Sequence, residues 1–301
     1  MKMCKDDSKI RADSSNVTTN TFKLMKLKNI ILLNGNCVMK KIALSIILIT
    51  IVIISSSCGL INNENSEETS SEKKIKQSFN KSLEIYPIKN LEDFYDKEGY
   101  RNAEYNKNDK GTWIIKSKMA IRESKDDELK VKGMVLRINR NTKLADGEYY
   151  TETYKENEKG EVEKNETNYP IRLENNKIVP SKPIKDEEIR KEIEDFRFFI
   201  QYANFKDLNS YGQGNFDYNP NVPSYSAEYQ LSNDDYNVKQ LRKRYNIPTD
   251  KAPKMILKGI GEFKESSLGY KRLEIEFEKN KEKSIYFTDT VSYRSSRNVY
   301  K

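Results

Sequence analysis

The chain has 301 residues, of which 33% are charged, and a formal net charge of +8 with no histidine. Residues 1–57 carry nine Lys/Arg and three Asp/Glu, so the rest of the chain has a net charge of only +2. This balance offers no broad electrostatic footprint for nucleic acid. The lack of histidine excludes Ser-His-Asp and Cys-His catalysis and imidazole metal ligands, so we expect no metal, no cofactor and no enzymatic activity.

A short apolar segment near the N-terminus has the layout of a targeting signal. Two lysines precede 13 mostly apolar residues, 42–54, and three serines and then Cys58 follow. About 20 apolar residues are needed to span the hydrocarbon core of a bilayer, so this segment is too short for a transmembrane helix. A charged start, a short apolar core and small residues are typical of a cleaved secretory signal. The sequence therefore predicts a signal peptide over residues 39–57.

The residues at the end of this signal resemble the lipobox of bacterial lipoproteins. Ser57 is small enough for the cleavage pocket, and Cys58 supplies the thiol that forms a thioether with diacylglycerol. Ser55 departs from the usual pattern, in which leucine is common at that position. Two or three acyl chains hold a protein on a membrane. We therefore expect the chain to be lipid-anchored through Cys58 on the extracytoplasmic face of the cell membrane.

The residues around the signal divide the rest of the chain. Residues 1–38 precede it, although the charged region of a signal normally begins the chain. A start at Met39 gives a signal of ordinary length, so we interpret residues 1–38 as a mis-assigned N-terminal extension. Residues 58–72 are rich in Asn, Ser and Glu and predict a flexible tether. Residues 73–301 predict a single folded domain.

Apolar spacing predicts a helix and then strands at the start of this domain. Ile75, Phe79 and Leu83 recur on one helical face, and the helix stops at Pro87. A short second helix is expected over residues 91–97. Alternation of apolar and polar residues then predicts half-buried strands around residues 113–121, 134–138, 148–154 and 169–179.

Local signals predict the breaks between these strands. Asp146 and Gly147 form a hairpin dipeptide, and Asn175 and Asn176 predict a tight turn. The segment 155–167 is nearly all charged and amide residues, so we expect an exposed loop there.

The second half of the domain contains further helices and strands. A clear amphipathic helix is expected from Asp186 to Ala203, and another begins at Ser232, with Asp235 completing a capping box. Strands follow around residues 254–263, 273–278 and 285–293. In the last strand, Asp289 falls on the same side as the apolar residues. This order predicts an α+β class with a largely antiparallel sheet flanked by about three to four helices.

Several blocks are similar to the staphylococcal tandem-type lipoprotein family. They are YPIKNLEDFYDKEGY from Tyr86, GMVLRINRNT from Gly133, YNPNVPSYSAEYQLSNDDYNVKQLRKRY from Tyr218 and IYFTDT from Ile285. The resemblance extends over residues 74–290 and implies a protein on the outer face of the cell membrane, without catalytic residues. It also implies that the lipidated N-terminus stimulates host innate immunity through a lipopeptide receptor, and that the protein promotes entry into host cells.

Two groups of residues are candidate partner-binding surfaces. The first is a group of four cations on the last predicted helix, Lys239, Arg242, Lys243 and Arg244. These cations form either a solvated helix face or a docking patch for an acidic partner or an anionic membrane. The second consists of tyrosines among Asn and Pro residues, Tyr218 and Tyr225 in particular, which either pack under loops or form a recognition surface for a host surface protein.

Two classes of function therefore stay open. The preferred one is a lipid-anchored surface protein that acts by binding in host interaction. The alternative is an envelope enzyme, or a binding protein for a small molecule or a cell-wall fragment. A deep pocket that converges on carboxylates or tyrosines would favour the alternative.

Overall fold

Ten antiparallel strands form one sheet in the computed structural model, which describes residues 69–101, 106–157, 159–261 and 271–296. These residues belong to one unit, Glu68–Lys301. The strands are β1 (Thr112–Arg122), β2 (Leu129–Asn139), β3 (Leu144–Glu156), β4 (Val162–Glu174), β5 (Lys177–Pro180), β6 (Asn215–Asn219), β7 (Ser224–Gln230), β8 (Lys254–Ile260), β9 (Lys271–Lys279) and β10 (Ser284–Arg294). The sheet order is β5-β4-β3-β2-β1-β10-β9-β8-β7-β6, so the first and last strands pair at its centre.

The first helix, α1 (Ser70–Leu83), begins with a capping box. The Thr69 hydroxyl accepts a hydrogen bond from the Glu72 amide at 3.2 Å, and the Glu72 carboxylate accepts one from the Thr69 amide at 2.9 Å. These bonds satisfy amides that a helix start leaves without partners. The last residues of the predicted tether, 70–72, are therefore helical. The predicted apolar face of this helix is buried as expected, at Ile75, Phe79 and Leu83.

The second helix, α2 (Glu187–Asp195), is shorter than the helix predicted to reach Ala203. The backbone becomes extended at Phe196 and Phe198, and a short 3-10 helix, Phe199–Gln201, follows. Phe198 and Phe199 are both buried, but in two different apolar clusters. A continuous α-helix directs neighbouring side chains only about 100° apart. The helix therefore ends at Asp195, because a continuous helix could not direct Phe198 and Phe199 into two separate clusters.

The third helix, α3 (Tyr236–Arg244), begins later than the predicted capping box at Ser232. The side chain of Asp235 is the N-cap and accepts hydrogen bonds from the amides of Asn237 and Val238 at 2.8 and 3.2 Å. The backbone of Ser232 forms a turn instead, because its carbonyl accepts from the amide of Asp235. The predicted helix over residues 91–97 is a 3-10 helix, Leu91–Tyr95.

The predicted hairpin turn at Asp146 and Gly147 is wrong. Asp146 and Gly147 lie inside β3, where Gly147 pairs with Leu136 of β2. A Cβ at Gly147 would lie 1.9 Å from the carbonyl oxygen of Val135, so the glycine permits close backbone approach and makes no turn.

The predicted exposed loop over residues 155–167 is mostly strand. β3 continues to Glu156 and β4 begins at Val162, so most of the predicted loop belongs to these two strands. The strand is polar because its side chains are mostly exposed, and Lys164 forms an ion pair with Glu152 on β3 at 2.9 Å. The polar composition of residues 155–167 therefore predicted a loop where the structure has two paired strands. The predicted tight turn at residues 175–176 is confirmed, with both residues at positive φ.

The helices cover one face of the sheet, and the core lies between them. One apolar cluster joins α1 and α3 to the strands from β7 to β10, and another joins α2 to the strands from β1 to β5. The predicted antiparallel sheet is therefore observed as a single sheet that dominates the fold. The described residues contain three α-helices, none of them long and apolar enough to cross a membrane.

Candidate ligand-binding face

The predicted lipidation site cannot be located in the structure, because Ser57 and Cys58 lie outside the described residues. The candidate surfaces of the folded domain are described. Within the described ranges, no group of three acidic or cysteine side chains is arranged to hold a metal ion.

Arg242, from the predicted basic group, holds the loop that follows α3. Its Nη1 donates to the carbonyl of Thr249 at 2.5 Å. Its Nη2 donates to the Asn233 side chain at 3.0 Å and to the carbonyl of Lys251 at 2.9 Å. The guanidinium also lies 5.1 Å from the centre of the Phe277 ring. These contacts give Arg242 a structural role in the fold.

The other three cations of this group lie at the surface of α3. Lys239 forms an ion pair with Asp234 at 2.8 Å, and the guanidinium of Arg244 lies 3.8 Å above the ring of Tyr202. Lys243 is exposed. Docking of an acidic partner here stays a prediction, and the half-buried Arg242 is engaged by the loop after α3.

The two predicted recognition tyrosines lie in different environments. Tyr225 is 3% exposed, its ring lies 5.1 Å from that of Phe79, and its hydroxyl is 3.0 Å from the Ser78 hydroxyl. The prediction that Tyr225 belongs to a recognition surface is therefore wrong. Strand alternation places this residue of β7 on the helix-covered face, where it is buried. Tyr218 is 38% exposed on the edge strand β6. Of this pair, only Tyr218 is accessible to a partner.

A buried polar network lies at the centre of the helix-covered face. The hydroxyls of Ser117 and Tyr86 each donate to one carboxylate oxygen of Asp289, both at 2.5 Å. Ser117 in turn accepts a hydrogen bond from the amide of Phe199 at 3.1 Å. Burial raises the pKa of Asp289 to about 7, although the two hydrogen bonds act in the opposite direction. In the sequence, Asp289 is distinguished only by its position on the apolar side of a predicted strand.

A cavity of about 230 Å³ lies beside this network, between α1 and the sheet. Its lining is mainly apolar and includes Phe79 and Leu83. Lys271 lies in the wall and donates to the Ser78 carbonyl at 3.0 Å and the Ser82 hydroxyl at 2.5 Å. Burial lowers the pKa of Lys271 to about 8. Because these groups already bond within the protein, they give the cavity little capacity to recognise a polar ligand.

The opposite face of the sheet, which we call the open face, has a small core made only of strand residues among those described. Ala120, Val131 and Tyr150 are its buried members. Gly133 pairs with Lys118 on one side and Tyr150 on the other. A Cβ there would lie 2.6 Å from both the Lys118 Cβ and the Tyr150 hydroxyl oxygen. Because Gly133 has no side chain, the side chains of Lys118 and Tyr150 can occupy the space above β2.

Charged and aromatic side chains alternate across this open face. Lys116 Nζ lies 5.1 Å from the centre of the Tyr150 ring. Glu274 is 1% exposed and pairs with Arg272 at 2.5 Å and with Lys279 at 3.6 Å. Burial of ionic groups on a sheet face is costly unless they are paired. Glu274 meets this condition through its two ion pairs.

Several buried polar atoms of the open face have no hydrogen-bond partner among the described residues. They are Arg122 Nε, Tyr150 Oη, Arg272 Nε and Glu274 Oε1. Native proteins leave few buried polar atoms unsatisfied, so each of these atoms needs a partner such as a bound water, an ion or a ligand.

A cavity of about 350 Å³ opens on this face, beside β1, β2 and β10. Lys118 and Arg122 of β1 and the rings of Tyr154 and Tyr286 line it. Alternation along β1 puts Lys116 and Lys118 on the opposite side from the apolar residues, but they belong to no sequence motif. Their spacing of two marks one face, yet it does not show that tyrosines from β3 and β10 lie on the same face.

Comparison with known proteins places the chain in a family. Residues 71–296 match the model of the Csa1 family. The chain is 55% identical over 257 residues to an uncharacterized lipoprotein of Staphylococcus epidermidis, covering 85% of this chain and 97% of the relative. It is 55% identical over 260 residues to an uncharacterized lipoprotein of Staphylococcus aureus strain MSSA476, covering 86% and 94%. The chain therefore belongs to the Csa1 family of staphylococcal lipoproteins.

Proposed function

We propose that this chain is a lipid-anchored protein on the outer face of the bacterial cell membrane and that it acts by binding. The observation that carries the proposal is the small-residue motif that ends at Cys58, in a chain whose relatives are named lipoproteins. A diacylglycerol thioether on Cys58 anchors the chain, because each buried methylene contributes about 0.8 kcal/mol to membrane binding.

The binding role has two parts in this proposal. The acylated N-terminus engages a host lipopeptide receptor, and the folded domain contacts a host surface protein and promotes entry into host cells. The resemblance to tandem-type lipoproteins supports both parts. Catalysis is not part of the proposal. In support, Asp289 has both carboxylate oxygens engaged by Ser117 and Tyr86, as expected of a structural acid.

The anchor is tested by the intact mass of the mature protein after expression of the full reading frame in a Gram-positive host. We expect a chain that begins at Cys58 and carries a diacylglycerol group. The Cys58→Ala variant should lack the lipid and should no longer fractionate with membranes. A wild-type chain that keeps residues before Cys58 and has no added lipid would overturn the proposed anchor.

The two host roles are separated by comparing the same proteins on host cells. Cys58→Ala should abolish stimulation of lipopeptide receptors, because the acyl chains are absent. Purified Cys58→Ala protein, whose folded domain is intact, should still compete with wild-type bacteria for entry. If the non-lipidated domain has no effect on entry, the contact between the folded domain and a host protein is refuted.

A second candidate function is binding of a small molecule at the envelope. The cavity lined by cations and tyrosines on the open face favours it.

A further inference from the structure

The cavity on the open face has an excess of positive charge. Lys118 and Arg122, each two residues from Ala120 along β1, contribute two cations to its lining, and Glu156 contributes one carboxylate. Neither cation forms an ion pair with another described residue within 4.0 Å. Arg122 Nε is also buried and without a hydrogen-bond partner among the described residues. A ligand with an acceptor group would satisfy this donor.

The electrostatic environment of Lys118 supports the same conclusion. Burial lowers the pKa of Lys118, and the positive charge of neighbouring Lys116 lowers it further, whereas Glu152 acts in the opposite direction. Cations that repel one another in a partly desolvated site are stabilised by a bound anion. Glu152 pairs with Lys164 and Glu274 pairs with Arg272. Glu156 forms no ion pair among the described residues, so the two cations and this one carboxylate give the lining a net positive charge of one.

The remaining walls are aromatic and aliphatic. The rings of Tyr154 and Tyr286 and the side chains of Leu129, Val131 and Val162 line the cavity. Tyrosine offers an apolar ring face to a ligand, and the Tyr154 hydroxyl already donates to Glu152 at 2.9 Å. The volume of about 350 Å³ lies at the small end of the range for ligand pockets, about 300–1,000 Å³. The cavity therefore suits one ring with polar substituents and an anionic group.

We propose that this cavity binds an anionic monosaccharide, that is, a single sugar carrying a phosphate or a carboxylate. The anion lies between the ammonium group of Lys118 and the guanidinium group of Arg122, and the sugar ring packs against Tyr154 and Tyr286. This inference rests on the second candidate function, small-molecule binding at the envelope, and names the ligand class; it does not depend on any host partner.

The test is calorimetric titration of the non-acylated mature chain, residues 58–301 with Cys58→Ala, against four probes. Glucose 6-phosphate and glucuronate supply the two anionic groups on a sugar, and glucose and inorganic phosphate supply each part alone. We expect saturable binding of at least one acidic sugar, at least tenfold tighter than either glucose or phosphate. Equal binding of inorganic phosphate and glucose 6-phosphate would overturn the sugar assignment. No binding of either acidic sugar would overturn the proposal.

Two variants locate the binding site. Lys118→Met keeps the aliphatic stem that packs beside Gly133, and Arg122→Gln keeps a polar side chain. Each should weaken binding of the acidic sugar at least tenfold, because one of two cations is lost, while Lys243→Gln on α3 should leave it unchanged. Thermal melting establishes that each variant is folded, and Arg122→Gln decides the question if Lys118→Met does not fold. Unchanged affinity in the folded variants would refute this location.

Discussion

Ser117 and Asp289 stand directly opposite each other on β1 and β10, and the Ser117 hydroxyl donates to the Asp289 carboxylate at 2.5 Å. The pair lies where the two apolar clusters of the helix-covered face meet. Two residues from Ser117 along β1, Ile115 belongs to one cluster and Met119 to the other. Tyr86 completes the carboxylate's hydrogen bonds and packs against both clusters. This polar contact therefore joins the two halves of the core.

The first prediction concerns the pH dependence of stability. Burial raises the pKa of Asp289 to about 7 from an unfolded value of 3.8, so the folded state binds more protons than the unfolded state between these values. The free energy of unfolding should therefore fall as pH rises from about 4 to 7, by up to about 4 kcal/mol from this residue. Urea denaturation at several pH values, followed by the fluorescence of Trp113, measures it.

Comparison of the wild-type protein with Asp289→Asn isolates the contribution of Asp289 to this pH dependence. In Asp289→Asn the decrease between pH 4 and 7 should be much smaller, because the titrating group is gone. Asp217→Asn, at an exposed position on β6, is the matched control and should follow the wild-type curve. If wild type and Asp289→Asn show the same pH dependence, the carboxyl does not titrate in this range.

The second prediction concerns Asp109, which joins the segment before β1 to the end of β10. Its carboxylate accepts hydrogen bonds from the amides of Gly111 and Ser296 and the side chains of Asn141 and Ser295, all at 2.8–2.9 Å. Burial raises its pKa, but these bonds outweigh burial and hold the pKa below its ordinary value. Its stabilising effect is therefore present above about pH 4 and is lost on acidification.

Replacing this carboxylate leaves several donors without an acceptor. Asp109→Ala should lower the free energy of unfolding at pH 7 by about 3 kcal/mol, since each unsatisfied buried donor costs about 1–3 kcal/mol. Asp126→Ala, at an exposed turn position, should change stability by less than about 0.5 kcal/mol. Equal stabilities of the two variants in urea would contradict this role.

The third prediction separates Arg242 from its neighbour Lys243. Arg242→Ala removes three hydrogen bonds to the loop after α3 and should cost about 2 kcal/mol of stability. Lys243→Ala removes an exposed charge and should be nearly neutral. Thermal unfolding of both variants measures the difference. A larger loss from Lys243→Ala would show that the helix surface, and not the loop closure, carries the stability.

The fourth prediction tests the close approach of β2 and β3. Gly147→Ala places a Cβ against the carbonyl oxygen of Val135, which belongs to the backbone and cannot rotate away. We expect destabilisation of about 3 kcal/mol, as for an overpacked core position. Glu148→Ala on the same strand is the control, because its side chain is partly exposed. A well-folded Gly147→Ala protein of wild-type stability would contradict the close approach of β2 and β3 at this residue.

The sequence by itself determined the strand positions of the central sheet and the apolar face of α1. These follow from local periodicity, which the chain carries residue by residue. The polar strand β4 has no such periodicity, because a strand whose side chains are mostly exposed forms by pairing with its neighbour and needs no apolar alternation of its own.

Only the tertiary structure decided which polar residues meet. Ser117 and Asp289 are 172 residues apart, and their contact depends on the pairing of the first strand with the last. The open-face cavity likewise combines Lys118, Tyr154 and Tyr286 from three separate strands. Alternation shows which side of its strand each residue occupies, but the register between distant strands is set by the packing of the whole sheet. The candidate ligand site therefore depends on the arrangement of the strands in the sheet, which local periodicity does not specify.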